Sequence, residues 1–565
     1  MIATFPELFT YRKDSPGDGF VAASIDDIRS GRHSLYVREA EGAGRANYRR
    51  ATTTDVELAV HALEAKASGF VPSPYQAAIF DFVENGSGDG FVDAVAGSGK
   101  TTTLVQAAKR IRARSLFCAF NRSIVGELKE RLPQGMDVST ISGLGKRIVD
   151  AAIGRTEVDD YKYNALAKAF LADQAIEDEN GEIAGAVVEL VRYIQSSLTH
   201  PMDLAALKAL MEHHDMEVAA DHLPVVLRAA AVVLRQGIVV AREQKIISYG
   251  DMLWLPHVMS NKELLIGGGL RPRRSYYLLF VEDLSPAQLA IVMKHRAPGG
   301  RILFVGDPRQ AIYGFAGADN ESVNKIVRAT NARRLPLSVC YRCPQSHIQL
   351  AKAIVPHLEA APNAPVGILE TITESKLPSM VKAGDLVLCR NTSPLVALCF
   401  KLIELGVSAR VRGREIGKTL QKLLKKVARL AEERGGASLP AAMDMYQQGA
   451  CAALAELKDG EARVEALVDQ MNSLRSVYTN ARPQSLDEFL AAIEGLFDDG
   501  RPSVILSTVH RAKGLEEDTV FILHPERMPS PAAKQPWQLT QEENLRYVAY
   551  TRAKKALYLV PEDKK

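Results

Sequence analysis

What this 565-residue chain has little of already excludes several kinds of protein. Its six cysteines are too few and too scattered for a disulfide framework, and they predict free thiols in a reducing compartment. Cys340-x2-Cys343, with His347 nearby, imitates half of a zinc site, but no second close pair supplies the remaining ligands of a tetrahedral centre. Residues 1–15 hold no apolar core followed by a cleavage site, so no secretory signal is expected. No apolar run reads as a membrane span, because the best candidate, 223–241, is interrupted by Arg228 and Arg235. Charge of one sign is also missing. Seventy Lys and Arg face 67 Asp and Glu, a net +3, so any basic surface must be local. With 47% hydrophobic and 24% charged residues, the chain has an ordinary soluble composition and length for about three or four domains. The expectation is a cytoplasmic protein.

One stretch stands out against this plain background: Asp93-Ala94-Val95-Ala96-Gly97-Ser98-Gly99-Lys100-Thr101-Thr102-Thr103. The apolar run Gly90-Phe91-Val92 leads into it as a buried strand. Behind it Leu104, Val105, Ala108 and Ile111 recur at helical spacing. Strand, glycine-rich loop and helix together are the context in which a phosphate-binding loop has meaning. Gly97 and Gly99 let the backbone turn its N–H groups inward around a phosphate, with Ser98 between them. Lys100 is placed to reach the β- and γ-phosphates, the Thr101 hydroxyl to ligand Mg²⁺, and the helix start at Thr101 and Thr102 to add its positive end. Ala94 stands where the strict pattern has its first glycine, a position that tolerates a small residue. The stretch reads as a nucleoside triphosphate site, for ATP with Mg²⁺. About one helix upstream, Gln76 in Pro72-Ser73-Pro74-Tyr75-Gln76 can offer both halves of its amide to an adenine edge.

Further along, 115–120 reads as a second buried strand ending in Phe120-Asn121-Arg122-Ser123. An aromatic and an amide at a strand end can stack on and hydrogen-bond single-stranded nucleic acid; the alternative for Phe120 is a core position. Val138-Ser139-Thr140-Ile141-Ser142 reads as another strand end, with Thr140 among hydroxyls that contact phosphate. Residues 150–245 hold four helical stretches, at 161–175, 184–197, 204–213 and 223–241, without a chemical motif. The strand Tyr276-Tyr277-Leu278-Leu279-Phe280-Val281 then runs into Glu282-Asp283. Paired acids at the end of an apolar strand behind a phosphate loop can hold Mg²⁺ through its waters and orient an attacking water. Next come Arg301-Ile302-Leu303-Phe304-Val305 and Gly306-Asp307-Pro308-Arg309-Gln310-Ala311-Ile312-Tyr313-Gly314-Phe315.

At this point the order of motifs resembles the UvrD/Rep/PcrA type of superfamily-one helicase, over roughly 71–345 and 385–560. The resemblance implies a phosphate-sensing role for Gln310 and base stacking by Tyr313 and Phe315. In Leu337-Ser338-Val339-Cys340-Tyr341-Arg342 it implies that Tyr341 stacks on the adenine and Arg342 reaches the γ-phosphate. Thr508 and His510, in Leu506-Ser507-Thr508-Val509-His510-Arg511, would contact DNA phosphates, and Glu516 would lie near the ribose. Arg552, in Tyr547-Val548-Ala549-Tyr550-Thr551-Arg552, matches the arginine finger. Physical chemistry gives these parts independent sense. Arginines from a second domain neutralise the γ-phosphoryl only when the domains close, and such a finger is worth on the order of 10³–10⁵ in rate.

The pattern breaks at the second motif, which in the family runs Asp-Glu-Ala-Gln-Asp. Anchored on the strand, Glu282 takes the metal-holding place and Asp283 the catalytic one, in swapped order. Anchored on Asp283-Leu284-Ser285-Pro286, three residues are missing and Glu282 is the only carboxylate left in the motif's core. Either way a carboxylate moves by more than an ångström, which can cost about 10²-fold. Hydrolysis is then impaired, or rescued by a backbone shift.

The fold class expected is α/β, two RecA-like parallel-sheet motor domains with helical insertions. Residues 1–70 form an accessory segment with a basic patch over 45–50 and a helix over 54–67. The first motor domain spans 71–149 and 246–335 around the 150–245 insertion. The second spans 336–414 and 499–565 around a small helical insertion at 415–498, whose Lys418, Lys422, Lys425 and Lys426 form either a solvated face or a duplex contact. The function expected is ATP-driven movement on single-stranded DNA, 3′ to 5′ by resemblance, with unwinding at single-strand/duplex junctions. The rival is an ATP-gated DNA-binding protein that hydrolyses poorly. A phosphate-loop kinase is excluded by the tandem motifs after residue 300. No membrane partner is expected, and the sequence names no loading protein.

Overall fold

The computed structural model describes residues 8–11, 20–22, 34–42, 45–51, 70–111, 113–119, 122–178, 181–214, 216, 218–219, 221–259, 275–282, 284–310, 321–455, 460–497 and 504–563. They fall into two units, 1–86 and 87–565.

The first unit holds a four-stranded antiparallel sheet in the order Phe20–Ala22, Leu8–Tyr11, Leu35–Gly42, Arg45–Arg50. Sequence alone shows no sheet here. The unit ends in the helix Pro74–Asn85, whose start is locally determined. Ser73 Oγ accepts from Gln76 N at 3.2 Å, Gln76 Oε1 accepts from Ser73 N at 2.9 Å, and Pro74 occupies the first turn. Gln76 is buried, and its amide oxygen serves this cap. The helix expected over 54–67 lies outside the described residues.

The second unit is built on two parallel sheets. The first has the order Arg333–Leu337, Gly90–Ala94, Arg296–Gly306, Tyr276–Glu282, Ser115–Ala119, Asp137–Thr140. Its inner strands are apolar on both faces, as strands covered by helices on each side must be. Gly90–Ala94 runs inside the sheet, so the loop that follows emerges at the sheet's carboxyl edge. Arg333–Leu337 is a strand that sequence reasoning missed. Pro336 lacks an N–H for a central ladder, and the strand sits at the edge, where only one side is paired.

Helices Lys162–Asp173, Glu182–Ser197, Leu204–His213 and Leu223–Glu243 follow one another between the strands Asp137–Thr140 and Tyr276–Glu282. The ends of this helical stretch meet in a two-stranded parallel clasp, Glu157–Val158 against Ile246–Ile247. Val187, Leu190, Val233 and Leu234 join Leu116, Val281 and Phe304 in one continuous core. By length and composition Leu223–Glu243 does reach membrane-spanning size, contrary to the sequence expectation. Val226, Ala230 and Val233 nevertheless pack into this core, which accounts for the helix's apolar length.

The second sheet runs Ile368–Thr371, Ala553–Val560, Glu517–Leu523, Leu386–Cys389, Val504–Thr508, Ala409–Val411, all parallel. One face packs on Ser393–Glu404 and the insertion helices Arg414–Glu433, Gly460–Ala481 and Leu486–Leu496. The other packs on Gln345–Ala351 and Pro536–Tyr550, and this second core also takes in Val95 and Ala96 of the phosphate loop. The two sheets therefore share a boundary at that loop. In the insertion, Lys418 pairs with Glu415 at 3.2 Å, and Lys426 reaches Glu182 of the first insertion at 2.8 Å.

Candidate nucleotide site between the two sheets

The loop after Gly90–Ala94 turns through two left-handed residues, Gly97 at φ 66° and Gly99 at φ 75°. A Cβ on Gly97 would also stand 2.7 Å from Arg342 Cβ and 2.8 Å from Cys340 Sγ, so the position is closed to side chains twice over. Ser98 is buried and its Oγ donates to Val95 O at 2.8 Å, bracing the turn. Helix Lys100–Ala108 starts at once, with Thr103 Oγ1 donating to Gly99 O at 2.9 Å and Thr101 half-buried in the first turn. Thr102 Oγ1 receives a long contact from Arg131 at 3.5 Å. Lys100 Nζ curls back on its own loop, 2.9 Å from Val95 O and 3.4 Å from Ala94 O, and lies 3.9 Å from Asp307. A half-buried ammonium at a helix N-terminus with inward-turned amides fits a phosphate chain.

Asp307 is the hub of the site. It is buried, and it follows the strand Arg296–Gly306, which neighbours the phosphate-loop strand. Its carboxylate accepts from Gln310 Nε2 at 2.7 Å and Arg309 N at 3.0 Å, and from the Tyr547 hydroxyl at 3.3 Å. That hydroxyl in turn accepts from Ala96 N at 2.7 Å. Tyr547 thus ties the phosphate loop and the adjacent strand of the first sheet to helix Pro536–Tyr550 of the second. Burial and the Asp307 charge push its phenol well above the ordinary range.

Three further groups come from the second sheet's side. Tyr341 N donates to Gly97 O at 2.9 Å, and the residue is 47% exposed. Arg342 packs its Cβ on Gly97, donates to Thr551 O at 3.1 Å and is ion-paired with Glu516, which also lies 3.9 Å from Lys554. Arg552 is 1% exposed and is held by backbone carbonyls and a hydroxyl: Val548 O at 2.9 Å, Leu515 O at 3.4 Å and Thr551 Oγ1 at 3.2 Å. Burial, with the neighbouring Arg342 charge, lowers its guanidinium to about 10.

A cavity of about 310 Å³ opens at the carboxyl ends of Leu386–Cys389 and Val504–Thr508, lined by Arg390, Asn391, Thr508, His510, Glu465 and Asp469. Burial and the Arg390 charge push His510 down to about 3, so it is neutral at ordinary pH. Arg390 is gripped by Glu542, with Nε and Nη2 contacts of 2.8–3.1 Å. Glu542 sits on the same helix as Tyr547, five residues earlier. Thr140 lies elsewhere and uses its hydroxyl to cap Ile141–Ile153, accepting from Gly143 N at 3.1 Å.

The structure thus gathers Gly97, Ser98, Gly99, Lys100, Thr101, Gln310, Tyr341, Arg342, Glu516 and Arg552 around one cleft, and Thr508 with His510 at one cavity. The backbone of Glu282 ends its strand opposite Val305. Its side chain, Asp283, Phe120, Asn121, Tyr313 and Phe315 lie outside the described residues. Sequence reasoning missed Asp307, Tyr547 and Arg390. Asp307 carried a usable signal, an acid at the end of an apolar strand. Tyr547 carried none, because a tyrosine inside a helix reads as core.

The model of the UvrD-like helicase C-terminal domain matches residues 123–563. The chain belongs to the UvrD-like helicases. F-box DNA helicase protein 1 of Schizosaccharomyces pombe is 23% identical over 511 aligned residues, covering 83% of this chain and 55% of that protein. F-box DNA helicase 1 of Gallus gallus is likewise 23% identical, over 82% of this chain and 46% of its own. This UvrD-like helicase thus spans about half the length of these relatives. Arterivirus nonstructural protein 10, a helicase, aligns over 99% of this chain and 77% of its own at 13% identity and a TM-score of 0.30, too loose a superposition to bear on the fold.

Proposed function

We propose that this UvrD-like helicase hydrolyses ATP in the cleft between its sheets and uses the cycle to move along single-stranded DNA, separating strands at junctions. One observation carries the reading. The phosphate loop is held from both sides at once, by Asp307 and Lys100 within the first sheet and by Tyr547, Tyr341 and Arg342 from the second. Anything that changes the loop's charge or shape therefore changes how the sheets sit on each other.

The residues divide the work. Gly97, Ser98 and Gly99 present amides to the phosphates, and Lys100 exchanges its weak carbonyl partners for phosphate oxygens. Mg²⁺, held by Thr101 and through water by Glu282, would neutralise charge on the β- and γ-oxygens. Gln310, oriented by Asp307, faces the reacting end. Arg552, buried on neutral acceptors beside a second guanidinium, is short of negative charge, and a developing phosphoryl charge relieves that deficit. Tyr341 offers an exposed ring to the adenine, with Glu516 toward the ribose. The 310 Å³ cavity with Thr508, His510 and Arg390 receives the DNA backbone, while Tyr313 and Phe315 stack bases at about 1–3 kcal/mol each without sequence preference. DNA as the strand is supported by the family and by the names of the relatives, and 3′ to 5′ movement by the resemblance to the UvrD/Rep/PcrA type alone.

Steady-state hydrolysis with and without single-stranded DNA, beside Lys100→Ala, tests the reading. DNA stimulation of about tenfold or more, lost in the variant, is expected of a motor with a working phosphoryl-transfer site. The second reading, an ATP-gated DNA clamp, rests on the displaced acids of the second motif. Helix Pro286–His295 starts so soon after Glu282 that only Asp283, Leu284 and Ser285 fit between. ATP binding without turnover would establish it and sink the motor.

A further inference from the structure

The cleft holds two thiols that neither reading uses. Cys340 and Cys343 bracket Tyr341 and Arg342, the residues that meet the phosphate loop from the second sheet. Both are buried, at 0% and 1%. Cys343 N donates to Cys340 Sγ at 3.4 Å, and the Cys343 thiol donates to Thr551 O at 3.6 Å. The neighbouring Cys343 thiol, the Cys343 and Arg342 N–H groups and the Arg342 charge hold the Cys340 thiol below its ordinary range against the cost of burial, whereas burial pushes Cys118, Cys389 and Cys399 up to about 12. One activated thiol with a partner three residues away is therefore set among inert ones. A metal does not explain the pair. Among the described residues no three His, Cys, Asp or Glu gather to hold one, and His347 Nε2 is engaged with Ile368 O at 2.9 Å.

Position makes the pair more than a chemical curiosity. Cys340 Sγ lies against Gly97 of the phosphate loop, and Cys343 Sγ reaches Thr551 O, beside Arg552, at 3.6 Å. Part of the cover over Cys340 is thus a loop belonging to the other sheet. A disulfide needs Cβ atoms about 3.5–4.5 Å apart, so closing one here clamps the turn that carries Tyr341 and Arg342.

We propose that Cys340 and Cys343 form a reversible disulfide when the cleft is open, and that this modification shuts down the nucleotide site by fixing Tyr341 and Arg342. The consequence for turnover rests on the nucleotide reading, but the disulfide chemistry does not. With hydrogen peroxide as oxidant, the Cys340 thiolate attacks one peroxide oxygen. The O–O bond breaks, and hydroxide leaves and takes a proton to become water, giving a sulfenic acid. The Cys343 sulfur, losing its proton, then attacks the sulfenic sulfur. The S–O bond breaks, a second water leaves, and the S–S bond forms. Two thiols are oxidised and one peroxide is reduced to two waters. A small thiol reverses the change by exchange.

The test treats the full chain with peroxide, with and without saturating Mg-ATP, and reads three quantities: the mass of the peptide carrying 340–343, turnover, and affinity for a fluorescent nucleotide. The expected result is loss of two hydrogens from that peptide, a fall of about tenfold or more in turnover or nucleotide affinity, and recovery with dithiothreitol. Saturating nucleotide should slow the disulfide several-fold, and Cys343→Ser should abolish both the mass change and the reversible loss. Two results would overturn the proposal. One is Cys340 and Cys343 staying reduced at peroxide levels that oxidise the half-buried Cys451. The other is a disulfide that forms while turnover and nucleotide affinity stay unchanged. Because the mass and affinity readings do not need hydrolysis, a chain without turnover still decides the matter.

Discussion

Two buried aspartates, Asp251 and Asp307, collect the same kinds of partner and behave differently. Asp251 binds Lys162 at 2.6 Å, Tyr163 at 2.6 Å and Gln195 at 2.8 Å, and accepts from Ser248 N at 2.9 Å. All lie in or beside the first insertion, Asp251 is fully buried, and a Cβ on Gly250 would stand 1.9 Å from Gln195 Oε1, so a larger residue there must displace the Gln195 amide. Asp307 binds a lysine, a tyrosine and a glutamine too, but at 3.9, 3.3 and 2.7 Å, and its tyrosine comes from the other sheet. Short bonds closed within one body make a strut. A set with two longer contacts, one of them from the other sheet, leaves a centre whose partners can be exchanged. The residue types do not decide between these outcomes; the spread of the partners does.

Breaking the centre at its lysine gives the largest effect. Lys100→Ala is expected to lower turnover by about 10³-fold or more while leaving thermal stability nearly unchanged, a split read by pairing kinetics with a melting curve. Breaking the strut should invert that split. Asp251→Ala strands the buried Lys162 charge and is expected to cost about 3–5 kcal/mol in denaturant unfolding, with turnover per folded molecule preserved. A drop in turnover per folded molecule to match would show that the two aspartates do not differ as described.

Tyr547→Phe removes one hydroxyl from Asp307 and one acceptor from Ala96. About tenfold in turnover, with at most about 1–3 kcal/mol of stability, is expected, and a loss confined to stability would make Tyr547 a strut as well. Acid titration probes the neighbouring cavity. His510 is held near 3 in the folded chain against 6.5 when free, so only the unfolded chain takes up its proton as pH falls from about 6.5. Its contribution is intact above 6.5 and fades toward 3, so His510→Asn should flatten the loss of stability below neutral pH. Smallest of all, Lys426→Ala breaks only the exposed pair with Glu182 between the insertions and should move stability by less than about 1 kcal/mol.

Much of this was legible in the chain. The phosphate loop, both sets of core strands and both helical insertions announce themselves through local periodicity and glycine placement. What stayed hidden depends on partners far away in sequence. Arg333–Leu337 looks unlike a strand because of Pro336, and only the sheet's edge makes it one. Gln76 was read for its reach toward a base, while Ser73 three residues earlier had already claimed its oxygen. Tyr547 matters through Ala96, 451 residues away, and no local pattern marks such a contact. Arg552 was read as an arginine finger, and its carbonyl wrapping follows from the fold of its own helix end.

Helix Pro536–Tyr550 has one more consequence. Glu542 grips Arg390 at the cavity, and Tyr547 grips the phosphate loop, only about 7–8 Å further along an unbroken rod. A rod without a hinge cannot report to one end alone. Whatever free energy an occupant of the cavity exerts on the loop, a ligand on the loop exerts in equal measure on the cavity. Measuring how strand binding tightens nucleotide binding therefore also gives, without a second experiment, how far nucleotide tightens the grip on the strand.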